Sequence, residues 1–121
     1  MNIQIIEKNG IAIAVVNSTE KAITNVQSAL DFIMSVTYET GSSRIALNKE
    51  AILEDFFVLS TCLAGEVLQK FINYRVKFVV IGDFSHYTSK PLQDFIRESN
   101  RGNDIFFVAS ETEAIEKLAR P

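Results

Sequence analysis

The chain has 121 residues, 47% of them hydrophobic, enough to enclose the core of one compact domain spanning residues 1–121. Its formal charge of −3 comes from 12 basic and 15 acidic residues mixed along the chain, without the basic stripe that contact with a phosphate backbone requires, which argues against nucleic acid. No apolar run is long enough for a bilayer, and the start "MNIQIIEKNG" lacks the basic-then-apolar order of a signal segment, so a cytoplasmic protein with no membrane partner is expected.

The first two β-prone runs, "NIQIIE" and "IAIAVVN", are joined by Lys8-Asn9-Gly10, and Asn-Gly between such runs predicts an antiparallel hairpin. In "NSTEKAITNVQSALDFIMSVTYETG", Ile23, Val26, Leu30, Ile33 and Met34 recur at helical spacing, with Asn17 and Glu20 as a capping-box-like start and Gly41 as the stop. "RIALN" reads as a third strand, followed by an irregular stretch from Lys49 to Leu59. A second helix is predicted from about Ser60 to Asn73, with Leu63, Val67, Leu68, Phe71 and Ile72 facing inward. The continuous apolar run "VKFVVIGD" suits a strand covered on both faces. Ser89 caps the helix "KPLQDFIRESN", whose first turn tolerates Pro91, and "DIFFVAS" repeats the buried-strand pattern. Ser110 and Glu113 form a capping box for a last helix, "ETEAIEKLAR". The order implies an α/β sandwich with a mixed sheet of about five strands, about four helices and an N-terminal β-hairpin.

This order resembles the STAS domain of anti-sigma-factor antagonists and sulfate-transporter tails, in which a loop ending in Asp-Ser-Ser/Thr-Gly-Leu starts a helix that leads to a strand. Here Leu59-Ser60-Thr61-Cys62-Leu63 occupies the motif's place and "VKFVVIGD" the following strand. The stretches "EDFFVLSTCLAGEVLQKFINYRVK", "GDFSHYTSKPLQDFIRESNRGN" and "FFVASETEAIEKL" are similar to a bacterial family, domain of unknown function 4180, from about Gly41 onward. The STAS resemblance implies a STAS-like regulatory or protein-interaction module, with Thr61 at the phosphoacceptor position. Two departures bear on that role, because the motif's Asp is Leu59 and its Gly is Cys62.

Several residues invite a chemical reading. Ser60 is placed to cap the second helix, and a phosphate on Thr61 would meet the unpaired N–H groups of the first turn, altering docking without rearranging the fold. Cys62, beside Leu63, reads as buried, and as the only cysteine it forms no internal disulfide. With His86 the only histidine, no metal site and no cofactor are expected. Phe56 and Phe57 are adjacent, so in an extended segment one enters the core while the other can anchor a partner; alternatively both close over the core. Arg97 and Arg101 complement the end of the third helix, and Gly102 suits a left-handed cap.

Two functional expectations follow. The first is a module without catalytic residues that docks an as yet unspecified protein through Glu54, Asp55, Phe56, Phe57, Ser60 and Thr61, with phosphorylation at Thr61 as its switch. The alternative is a small-molecule-binding protein or small hydrolase, using Asp83, His86 and Glu54 as a pocket at the strand ends, where groups from parallel strands converge. Against it, Asp83 is also suited to a simple turn with the backbone near Ser85. Self-association into a homo-oligomer through the apolar stripe of the first helix is a third expectation.

Overall fold

The computed structural model describes residues 1–121. Strand β1 (Asn2–Lys8) turns at Asn9 and Gly10 into β2 (Ile11–Asn17). Both turn residues have positive φ, 56° and 75°, the mirror-image turn whose twist matches that of the flanking strands. Helix α1 (Val26–Thr40), β3 (Arg44–Asn48), α2 (Leu63–Asn73), β4 (Lys77–Ile81), α3 (Lys90–Arg101), β5 (Ile105–Val108) and α4 (Glu111–Leu118) follow. The five strands lie in sequence order, β1 antiparallel to β2 and every other neighbouring pair parallel.

Alternation of side chains along the strands divides the core in two. Ala14, Val16, Ile45, Leu47, Phe78, Val80, Ile105 and Phe107 face a larger layer that contains the buried sides of α1, α2 and α3. Ile13, Val15, Ala46, Val79, Phe106 and Val108 face the other way, against Ala114 and Leu118 of α4. The continuous apolar runs of β4 and β5 are therefore read correctly as strands buried on both faces. Phe71 of α2 stacks on Phe78 of β4 at 4.0 Å between centroids, and Phe32 of α1 meets both rings at 6.5 Å. Each such buried ring contributes about 1.5–3 kcal/mol relative to exposure, which fixes α1 and α2 side by side on the sheet.

Several local expectations are corrected. Helix α1 begins at Val26, capped by Asn25 in a capping box with Ser28, and not near Asn17 and Glu20. The preceding stretch is drawn away from helical geometry because the Ala22 and Ile23 amides donate to the Ala51 carbonyl, while Leu53 N–H donates to Ile23. The inward stripe consists of Ala29, Phe32, Ile33 and Val36, so it is rotated from the spacing read in the sequence, and Met34 is exposed. On α2 Ile72 is likewise exposed. Gly102 ends α3 in extended rather than left-handed geometry, at φ −83° and ψ −163°. Gly41 and Ser89 cap as expected, and Ser110 caps α4 by accepting from the Glu113 amide, without the reciprocal bond of the expected capping box.

Candidate functional site

The segment from Lys49 to Cys62 leaves β3 and crosses the carboxyl end of the sheet in three short 3-10 turns, Lys49–Ala51, Glu54–Phe57 and Leu59–Thr61. Opposite it, Gly82–Ser89 leaves β4 towards α3. Neighbouring parallel strands thus deliver two loops to one end of the sheet.

Phe56 and Phe57 are both buried, at 1% and 3% exposure, so neither is an exposed anchor. The 3-10 geometry of Glu54–Phe57 replaces the extended one, and both rings turn inward. Their centroids lie 4.9 Å apart in an edge-to-face arrangement; Phe56 continues to Phe107, and Phe57 to Phe84 and Tyr87.

Over this aromatic layer lies a polar group that sequence reasoning missed in part. The ammonium of Lys49 sits 5.1 Å from the ring centroids of both Phe57 and Tyr87, and 3.4 Å from a Glu54 carboxylate oxygen. At that distance the ion pair is electrostatic more than a well-formed hydrogen bond, while the two rings add cation–π attraction. The Tyr87 hydroxyl donates to the other Glu54 oxygen at 2.6 Å. Gly82 is required beneath this group: a Cβ there would come within 2.6 Å of the Lys49 Cβ.

The titration behaviour follows from these contacts. Burial acts to raise the Glu54 pKa, but the Tyr87 hydroxyl and Lys49 together outweigh it and hold the carboxyl below its ordinary value. Burial, reinforced by the Glu54 carboxylate, raises the Tyr87 phenol well above its usual value. Asp83 is lowered by the side chain and then the backbone amide of Ser85, whose hydroxyl and N–H donate to the same oxygen at 2.6 and 2.9 Å. This is the local turn that its sequence position suggested.

Between the two loops a cleft of about 430 Å³ opens. Leu59, Tyr87 and Pro91 supply accessible apolar surface over a buried floor of Phe57 and Leu92, Val58 projects into solvent at 49% exposure, and Ser60, His86 and Ser89 provide polar lining. His86 packs over Tyr87 with ring centroids 4.2 Å apart. Of the expected residues, Phe57, Ser60 and His86 line the cleft itself, and Glu54 reaches it through its bond to Tyr87. Asp55 is exposed, and Asp83 engages Ser85 next to the cleft.

Ser60 does not cap α2. The helix starts at Leu63, its N-terminal boundary is Cys62 in left-handed geometry at φ 65°, and the Thr61 hydroxyl accepts from Leu63 N–H at 3.3 Å. That hydroxyl also lies 2.7 Å from the Asp55 carbonyl and 2.8 Å from that of Val58. A phosphate on Thr61 would have to break these ties and reshape the corner. Cys62 is exposed, contrary to the burial expected, because the turn it terminates points it outward. Arg97 pairs with Asp94 at 3.1 Å and Arg101 with Glu98 at 3.4 Å, so both are surface ion pairs within α3. No group of three or more His, Cys, Asp or Glu side chains comes together to hold a metal ion.

Position is the signal that could have singled out Lys49 and Tyr87. Lys49 directly follows β3 and Tyr87 lies in the loop after β4, adjacent strands whose ends share one crevice.

Among known proteins, the family described as Domain of unknown function (DUF4180) matches residues 8–118. No curated protein and no solved structure matches the chain.

Proposed function

This chain belongs to the DUF4180 family, and on that premise we propose that it is a STAS-like cytoplasmic module, acting without catalysis, that binds an extended segment of a partner protein in the cleft between residues 57–60 and 86–92. The observation that carries this reading is the make-up of the cleft: accessible apolar surface from Val58, Leu59, Tyr87 and Pro91, over a buried floor of Phe57 and Leu92, edged by Ser60, His86 and Ser89. An apolar centre within a polar rim is the pattern of protein interfaces.

The charged groups next to the cleft support binding over chemistry. Glu54 is committed to Tyr87 and Lys49, and Asp83 to Ser85, so each already serves the local architecture. The segment that fits carries an aliphatic side chain for the cleft and polar groups for its hydroxyl and imidazole rim. Phosphorylation at Thr61 would act in this scheme by releasing its ties to Asp55 and Val58 and deforming the adjoining cleft wall.

Quantitative co-purification from the native cell tests the reading, comparing wild type with Val58→Asp and with Glu116→Lys on exposed α4 as control, all checked for folding by circular dichroism. A partner kept by the control and lost by Val58→Asp is expected. Equal recovery with both variants would remove the cleft as the docking site.

A second reading, a small ligand or small hydrolase substrate in the same cleft, is favoured by its place at the carboxyl ends of β3 and β4 and by the His86 imidazole in its lining. Loss of a bound metabolite, rather than a protein, on His86→Ala substitution would favour it.

A further inference from the structure

The two edges of the sheet are treated differently. The outer edge of β5 is short and partly closed: Phe107 N–H donates to the Asn100 side-chain oxygen at 2.7 Å, and the Asn100 amide donates back to the Phe107 carbonyl at 3.1 Å. Asp104 and Val108 accept from Phe78 and Gly82 on the β4 side, so Phe107 points its backbone outward and Asn100 stands where a sixth strand would bond.

The outer edge of β1 has no such cover. The strand runs without a bulge or proline for seven residues in continuous register with β2. Because the two-residue turn makes Lys8 and Ile11 the closing bonded pair, alternation directs the N–H and C=O groups of Ile3, Ile5 and Glu7 away from β2. No group elsewhere in the chain bonds to them. Ile5, at the strand's centre, is 55% exposed, and beside it Met1, Ile3, Glu39 and Thr40 line a shallow groove. Charges that would repel an incoming strand lie only at the end, at Glu7 and Lys8.

We infer that β1 is a self-association edge: two copies pair their β1 strands antiparallel about a two-fold axis at Ile5, joining their sheets into one. Ile5 of one copy then exchanges both backbone bonds with Ile5 of the other, and Ile3 does so with Glu7 in each direction. The interface is isologous, and the Asn100 cover on β5 stops growth from the opposite edges, so the assembly closes as a dimer. The second copy, rather than an unrelated strand, is the occupant because this register sets the exposed Ile5 against Ile5 and places the strand's only charges, Glu7 and Lys8, opposite the uncharged Ile3 and Asn2, so that no like charges meet. It is also the part of the surface where self-association arises, in place of the first helix. The proposal is independent of the cleft, which lies at the carboxyl ends of β3 and β4.

Sedimentation of the full chain over a wide concentration range tests it, with Ile5→Lys to set two like charges on the axis. A monomer–dimer equilibrium is expected for wild type, with association weakened about tenfold or more in Ile5→Lys. Register is tested in a Cys62→Ser background by mild oxidation of Ile5→Cys and Glu7→Cys. Directly opposed bonded residues lie about 5.5 Å apart, within reach of a disulfide, so Ile5→Cys is expected to cross-link readily. Two copies of Glu7→Cys, displaced along the strands by about four residues, should not. A wild-type monomer at all concentrations would overturn the proposal. So would a dimer in which Ile5→Cys cross-links no faster than Glu7→Cys.

Discussion

Lys49 reconciles several demands at once. Its stem packs against Gly82, its ammonium lies over two rings, and its charge meets Glu54, which in turn holds the Tyr87 hydroxyl. The contacts are locally strong but half open to water, because the Glu54 side chain is 60% exposed, so screening limits their worth. Tyr87→Phe is expected to cost about 1 kcal/mol at neutral pH, below the roughly 1.5–3 kcal/mol of a well-shielded hydrogen bond to a charged group because this one is screened by water. The pH dependence has a definite sign. The Tyr87 phenol is raised in the folded chain above its ordinary 10.0, so the unfolded chain ionises first and stability falls as pH climbs past that value. The Glu54 carboxyl is lowered, so its contribution is present above the ordinary carboxyl range and is lost as pH falls through its folded value. Urea unfolding across pH should therefore show wild type losing stability above pH about 10 more steeply than Tyr87→Phe. Parallel alkaline profiles would mean that the folded chain does not hold the phenol above its ordinary value.

The corner from Glu54 to Leu63 is the element on which the cleft depends. Its three short turns are joined through Thr61, whose hydroxyl reaches carbonyls at Asp55 and Val58. Thr61→Ala is expected to destabilise the chain by about 0.5–1.5 kcal/mol and to speed hydrogen exchange chiefly at residues 55–62. Unchanged exchange there would make the hydroxyl incidental. The regular elements were largely legible in the sequence because their signals are local: Asn9-Gly10 sets the hairpin, and Ser89, Ser110 and Gly41 mark helix ends. What failed depended on distant partners. The cap of α1 moved to Asn25 because Ile23 bonds to the 51–53 segment, 28 or more residues away, and Ser60 yielded its role because Cys62 adopts left-handed geometry. Phe56 and Phe57 were open between two placements, since a 3-10 turn and an extended segment differ little in composition.

At the scale of the molecule, three parallel connections place α1, α2 and α3 on one face of the sheet and α4 alone on the other. Consecutive right-handed crossovers running in one direction across a sheet have this consequence. The loops after β3 and β4 consequently rise together, which makes the cleft a product of topology as much as of its side chains. His86 and Glu54 are recognisable as candidates from that end of the sheet, and position there also marks Lys49 and Tyr87, but the contacts that join them come only from packing in the fold. The edges of the same sheet supply the other surface, β1 open and β5 covered by Asn100. No helix is long and apolar enough to cross a membrane.

The measurement that tests the cleft most directly is hydrogen exchange of the purified chain, alone and with the protein that co-purifies with it. Slowed exchange concentrated at residues 57–60 and 86–92 is the expected result. Protection confined to other surfaces, with those two loops exchanging as fast as in the free chain, would contradict the assignment of this cleft as the partner site.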